Sequence, residues 1–132
     1  MLLSSDQAVL KLFGMFLGDE HEIITEKVEQ YLLELSLDVL NAGVDVILDW
    51  GFWTANDRAA MNRYFANNAI IPQWHYIDCS RTQWEQNLRH RNDEVSRNKT
   101  TAFFVDHNLA EKCLEAFEVP EQNEMDIWYC WG

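Results

Sequence analysis

The sequence predicts an α/β protein built around a parallel sheet. Residues 44–49 are an apolar, β-branched run that opens just after a likely helix stop at residues 41–43, as expected of a short buried strand. A second short strand is predicted at residues 74–79, and a helical pattern with a capping signal follows each strand. Strand, helix, strand, helix at this spacing is typical of right-handed crossovers, which make the strands parallel.

Two helices are predicted before the central strand. The first carries apolar residues from Ala8 to Phe13, with Ser5 or Asp6 as its cap and Gly14 as its end. Residues 22–42 repeat apolar side chains at three- and four-residue steps, which predicts an amphipathic helix. Its acidic residues are most simply a solvated face.

The second half of the chain follows the same alternation. Thr54 with Asp57, and Ser80 with Gln83, have the spacing of capping boxes at helix starts. The predicted elements are a helix from Thr54 to about Asn67, a strand at 74–79, a helix ending at 88–92, a helix at 105–117 and a last strand at 127–131.

Composition limits the classes of function. A chain of 132 residues with 48% hydrophobic and 24% charged residues predicts one soluble globular domain, residues 1–132. The net charge of −12 would repel a phosphate backbone, so we expect no nucleic-acid partner. The sequence shows neither a long apolar run nor a basic leader, so we expect no membrane contact and a cytoplasmic location. The three cysteines are scattered and are expected to be buried thiols.

Asp49 closes the central strand and is the first candidate for a functional residue. In an open α/β sheet, ligands bind beyond the carboxyl ends of the strands, so a carboxylate there lies where chemistry takes place. The alternative is that Asp49 only caps a loop, and the spacing alone leaves both interpretations open.

A basic cluster interrupts this acidic chain between residues 81 and 99. Arg89, Arg91, Arg97 and Lys99 lie in it, and arginine suits bidentate contact with phosphate. The alternative is a solvated helix end, where cations are favoured by the helix dipole. We favour a phosphate-binding role because two arginines coincide with a long basic loop.

Five segments together resemble the small P-loop kinases, in particular ATP-binding proteins grouped with zeta-toxin and chloramphenicol phosphotransferase-like enzymes. The resemblance covers nearly the whole chain, and its most specific part is Asp49-Trp50-Gly51-Phe52-Trp53. The segments are Leu3-Ser4-Ser5-Asp6, residues 46–53, His75-Tyr76-Ile77-Asp78, Leu88-Arg89-His90-Arg91-Asn92 and Phe117-Glu118-Val119-Pro120. The resemblance implies a P-loop NTPase-like parallel sheet, ATP and Mg²⁺ as cofactors, and transfer of phosphate to a small molecule that the sequence does not name.

The resemblance also implies a role for each matched residue. Asp49 matches the Walker B position near Mg²⁺, and Asp6 matches the carboxylate that orients or deprotonates the acceptor hydroxyl. Arg89 and Arg91 match lid arginines that steady the transferring phosphoryl group, and Arg97 is a weaker candidate in a lid at about residues 89–104. Trp50, Phe52 and Trp53 either wall the acceptor pocket or belong to the core.

One part of the family pattern is absent from the sequence. Nowhere does it contain Gly-x-x-x-x-Gly-Lys-Ser/Thr, the loop that cradles phosphates. In the family this loop follows the first strand, which lies in the middle of the sheet. We therefore expect a domain that lacks its central strand and phosphate loop. Such a form is either the inactive core of a phosphotransferase or a non-enzymatic remnant that acts through protein contacts.

The missing strand has a consequence for the sheet. In the family it lies between the strands matching residues 44–49 and 74–79, and unpaired backbone groups away from water are costly. We expect these two strands either to pair directly or to be bridged by another chain, which would give a homodimer.

Overall fold

A computed structural model describes residues 1–100 and 102–131 of the chain. These residues form two compact units, Met1–Gly51 with Asp93–Phe104 and Phe52–Asn92 with Val105–Gly132. The strands are β1 (Leu2–Ser4), β2 (Ile47–Asp49), β3 (His75–Cys79) and β4 (Ile127–Trp131). The helices are α1 (Ser5–Phe13), α2 (His21–Asn41), α3 (Ala55–Ala66), α4 (Arg81–Ser96) and α5 (His107–Ala116). Whether the two units form one domain, as the composition predicts, stays a prediction.

The first unit is a pair of parallel strands covered by two helices. β1 pairs with β2 in the register Leu2 to Ile47, Leu3 to Leu48 and Ser4 to Asp49. The buried core joins one strand residue to residues of both helices, and it consists of Leu3, Val9, Val28 and Leu32. α1 ends at Gly14, whose φ of 84° is readily adopted only by glycine.

Three details of the predicted first unit are wrong. The cap of α1 is Ser4, whose hydroxyl accepts the amide of Gln7, and neither Ser5 nor Asp6. β2 begins at Ile47 where the apolar run predicted a strand from Val44. The strand is also exposed where burial was predicted, with Ile47 at 65% exposure, because β1 is its only paired neighbour among the described residues.

The second unit holds the other parallel pair. β3 and β4 pair over their full length, with His75 opposite Ile127 and Cys79 opposite Trp131. The predicted capping box at Thr54 and Asp57 is present at the start of α3, with both hydrogen bonds at 3.0 Å. At α4 only half of the predicted box forms, since Ser80 accepts the Gln83 amide while the Gln83 side chain donates to Asn87.

α4 is longer than the sequence predicts. It continues to Ser96, although the loss of apolar periodicity indicated an end at residues 88–92. The last turn is supported by an ion pair between Arg97 and Asp93 at 3.2 Å and by burial of Val95. Arg89 and Arg91 therefore lie on a helix, whereas Arg97 and Lys99 follow its end, so the basic loop is shorter than predicted.

The strands form two separate pairs where the sequence predicts one sheet. Among the described residues, β2 pairs only with β1, and β3 pairs only with β4. Direct pairing of β2 with β3, one of the two expected outcomes, does not occur in this part of the chain. The combination of helices with small parallel sheets still confirms the α/β class.

A buried arginine holds the second unit together. Arg58 in α3 is only 4% exposed, and its guanidinium pairs with the Glu124 carboxylate at 3.1 Å. It also donates to the carbonyl oxygens of Phe52 at 3.2 Å and Glu118 at 3.0 Å. The hydrogen bond from Arg58 and a second one from the Glu121 amide lower the pKa of Glu124. One side chain thus ties α3 to residues on both sides of it in sequence.

Replacing Arg58 is therefore expected to destabilise the chain strongly. Arg58→Met removes the cation and leaves two carbonyls and a carboxylate without their donor, a loss of about 3 kcal/mol in the free energy of unfolding. Arg63→Met, on the exposed side of the same helix, is the matched control and should change stability by less than about 0.5 kcal/mol. Urea titration of both variants measures the difference, and equal small losses would contradict the role of Arg58.

Candidate active site

Two carboxylates lie near the carboxyl end of the β1–β2 pair. Asp49 is the last residue of β2 and lies opposite Ser4, the last residue of β1. Ser4 caps α1, so Asp6 follows in the first turn of that helix. Because both strands run in the same direction, their ends share one edge, and both carboxylates are exposed there.

The local sequence explains why these two positions are well defined. No loop separates β1 from α1, since the strand ends at Ser4 and the helix begins at Ser5. Ser4 and Ser5 are both buried, at 9% and 2% exposure, which fixes the turn from strand to helix.

The paired arginines of the predicted lid lie in the second unit. Arg89 and Arg91 are two residues apart on α4, so their side chains leave the helix about 200° apart. Arg89 is exposed, whereas Arg91 is half-buried and lies near Cys113. Burial raises the pKa of the Cys113 thiol, and the charge of Arg91 opposes that rise. The two arginines thus face different surroundings, although the motif treats them as a pair.

Arg97 lies just beyond α4, in the first unit. Its side chain is 61% exposed and pairs with Asp93, one helical turn earlier, at 3.2 Å. Thr101, inside the predicted lid, lies outside the described residues. The first unit therefore carries Asp6, Asp49 and Arg97, and the second carries the two arginines of α4.

Sequence reasoning assigned no role to Asn92, which closes the base of the lid segment. Its side-chain amide donates to the carbonyl of Val105 at 2.6 Å, and its oxygen accepts the Val105 amide at 2.9 Å. These reciprocal hydrogen bonds hold together the two ends of the segment 93–104. An asparagine side chain can donate to one backbone group and accept from another, and this was the available signal. Its distant partner was not identifiable from sequence.

The three aromatic residues after Asp49 have different neighbours. Trp50 packs against the core of the first unit. Phe52 contacts Trp74 edge-on at 5.1 Å between ring centroids, and Trp53 contacts Phe117 at 6.3 Å. Each ring therefore takes part in packing, which is one of the two roles that the sequence left open.

The donor set suits a magnesium ion that is held mainly by its substrate. Mg²⁺ is usually bound by one or two carboxylates together with phosphate oxygens and water. Asp49 supplies a hard oxygen donor at the strand end. Within the described residues no group of three or more acidic, histidine or cysteine side chains could hold a metal by itself. The residues present thus fit one ligand of a nucleotide-bound ion and not an all-protein site.

Parallel strands and covering helices define an α/β protein, with a carboxylate at one strand end. Comparison with protein families gives a more specific assignment. The model of a family described as AAA domain matches residues 1–120, and the chain belongs to this family. It is a P-loop kinase-like domain of the AAA type, and such domains usually bind ATP with Mg²⁺. No curated protein and no solved structure matches the chain. No described helix is long and apolar enough to cross a membrane.

The electrostatic effect of Arg91 on the Cys113 thiol gives a test of where Arg91 points. In a chain whose other cysteines are replaced by Ser, Arg91→Gln should raise the pKa of Cys113 further and slow its alkylation severalfold at mildly alkaline pH. The reason is that only the thiolate reacts and the nearby cation favours it.

Arg89→Gln in the same background is the matched control, since Arg89 leaves α4 on another side. The rate at which iodoacetamide alkylates Cys113 is measured in both variants. Equal rates in the two variants would show that Arg91 does not act on this thiol.

Proposed function

We propose that the chain forms the acceptor-side and lid portion of an ATP-dependent small-molecule phosphotransferase. The observation that carries the proposal is the register of Ser4 with Asp49, which brings Asp6 and Asp49 to one strand end. Membership of a nucleotide-binding family makes phosphate transfer the chemistry that best suits two carboxylates in this position.

In this proposal each carboxylate has its own task. Asp6 accepts the proton of the acceptor hydroxyl while the hydroxyl oxygen bonds to the terminal phosphorus of ATP and the bond from that phosphorus to the bridging oxygen breaks. Asp49 contributes to binding of Mg²⁺, which neutralises charge on the phosphates when it is bound. From the family resemblance alone we also assign Arg89 and Arg91 to stabilising the transferring group, with Arg97 assisting from the lid segment.

The proposal requires a phosphate-binding loop that the 132 residues do not contain. No Gly-x-x-x-x-Gly-Lys-Ser/Thr occurs anywhere in the sequence. We infer that a strand, a loop of this kind and a helix supplied from outside these residues complete the nucleotide site. By itself the 132-residue chain is then inactive.

A second candidate function rests on the exposed strand residues. Ile47 in β2 and Ile77 in β3 are 65% and 59% exposed, which is unusual for parallel strands. A domain that retains the fold and acts only through protein contacts would use such surfaces. The DNA immediately before the codon for Met1 discriminates the two candidates, since a Gly-rich loop encoded there supports the enzyme.

Nucleotide binding is the first test of the phosphotransferase. The 132-residue chain should show no rise in Tm with millimolar ATP and Mg²⁺. A chain extended at its N-terminus by a strand–loop–helix unit carrying the phosphate loop should be stabilised by about 2.7 kcal/mol at a hundred times Kd. The same extended chain with the loop lysine replaced by Ala is the control. The proposal would be contradicted if ATP and Mg²⁺ stabilised the unextended chain, or if they failed to stabilise the extended chain.

The division of labour between the two carboxylates is the second test, again in the extended chain. Asp6→Asn should lower kcat by about a hundredfold or more while ATP affinity stays unchanged, because a general base acts only in the chemical step. Asp49→Asn should instead raise the Mg²⁺ concentration that is required for activity. Asp38→Asn, an exposed change of the same charge on α2, is the control. Equal loss of ATP affinity in the first two variants would refute separate roles.

A further inference from the structure

Residues 93–104 leave the second unit and belong to the first. The chain passes into the first unit after Asn92 and returns to the second at Val105. Within the second unit, the Asn92 side chain holds these two points together through its hydrogen bonds with Val105, at 2.6 and 2.9 Å. The base of the segment is therefore fixed, and any further hold on it must come from the first unit.

The outgoing part of the segment is the end of α4. Val95 is buried there, at 9% exposure. Asn98 follows the helix with a φ of 54°, and its amide donates to the Val95 carbonyl at 3.1 Å. The Lys99 amide donates to the Glu94 carbonyl at 2.9 Å. These are the hydrogen bonds of a Schellman ending, so the main chain has a defined course as far as Lys99.

The returning part of the segment carries an aromatic anchor, Phe103. Its half-buried side chain packs against the buried core of the first unit. Its ring also contacts His21, the first residue of α2, edge-on at 4.9 Å between ring centroids. The next residue, Phe104, is instead 45% exposed. Phe103 therefore ties the returning chain to the core and to the start of α2.

An exposed stretch lies between these two holds. Residues 96–100 are all exposed, and Arg97 is one of them. Since Val95 and Phe103 restrain the chain on both sides, Arg97 is confined to the surface of the first unit. This is the unit that also carries Asp6 and Asp49.

We propose that Phe103 is a positioning residue, which docks the segment 93–104 on the first unit and so preorganises Arg97 on the unit of both carboxylates before any ligand binds. The entropy of ordering this segment is then lost during folding and does not weaken ligand binding. The role of Arg97 toward phosphate rests on the proposed function, whereas the docking by Phe103 does not.

Limited digestion of the 132-residue chain with trypsin tests the docking. Trypsin cleaves after Arg97 and Lys99 once the segment has opened locally, so the cleavage rate reports how often the segment is released. Phe103→Ser should speed both cleavages about tenfold, because the apolar contact that holds the segment is lost. Cleavage after Lys27, inside α2, is the internal reference, since it requires unfolding of the first unit. An equal rise after Lys27 would mean that Phe103 only stabilises the core, and would overturn the proposal.

Phe104→Ser is the matched control, since it makes the same change at the neighbouring and more exposed position. It should leave the cleavage rates after Arg97 and Lys99 unchanged. Equal acceleration in the two variants would contradict a specific role for Phe103.

A second measurement follows the position of the exposed stretch itself and needs no ligand. In a chain whose three cysteines are replaced by Ser, spin labels are attached at Lys99→Cys and at Asp38→Cys on α2. Electron resonance should give a narrow distribution of distances between the labels in this chain and in its Phe104→Ser variant. Phe103→Ser should broaden the distribution while the Tm stays above the temperature of labelling. A narrow distribution in Phe103→Ser would refute the positioning role.

The kinetic consequence is measured in the chain extended by the phosphate loop. Arg97→Gln and Phe103→Ser should lower kcat by a similar factor, and the double variant should lose no more than either, because both changes remove the same contribution. Additive losses would overturn the positioning of Arg97 by Phe103. If the extended chain transfers no phosphate, the proposed function fails, and the trypsin and spin-label results still decide the docking.

Discussion

Parallel pairing of β1 with β2 is the constraint on which the candidate site depends. Since the two strands run in the same direction, the register of Ser4 with Asp49 fixes where both chain segments leave the sheet. The immediate start of α1 then places Asp6 at the same edge without a flexible connection. A slip of one residue would turn every side chain of the strand to the other face and bury Asp49 against the helices.

The elements that sequence predicted well are those with local signals. The capping box at Thr54, the glycine end of α1 and both later strands depend on neighbouring residues, and all are present. The end of α4 was missed because the helix continues to Ser96 without apolar periodicity, supported by the Arg97–Asp93 ion pair and by burial of Val95. Exposure of the predicted central strand was also missed, since burial depends on neighbouring strands that no local pattern reveals.

Arg58 shows a second limit of sequence reasoning. An arginine in the first turn of a helix is normally a solvated residue, yet this one is buried with partners 60 and 66 residues away. Two of its hydrogen bonds go to main-chain carbonyls, which any sequence would supply at those positions. Asp49 was a candidate because it closes a strand that periodicity predicts, whereas Asp6 was named from the family resemblance alone. The role of each residue stays a prediction.

Two-stranded sheets are marginal by themselves, and this limits how the chain can function. In the first unit, the strands depend on α1 and α2 for their core. In the second unit, the aromatic contacts of Tyr76 lie on one side of the β3–β4 pair only. A segment that added a strand would contribute backbone hydrogen bonds and cover apolar side chains at the same time. If that segment also carries the phosphate loop, ATP and the segment bind the same state of the protein. By linkage, each would then strengthen binding of the other, so nucleotide affinity would report how completely the sheet is formed.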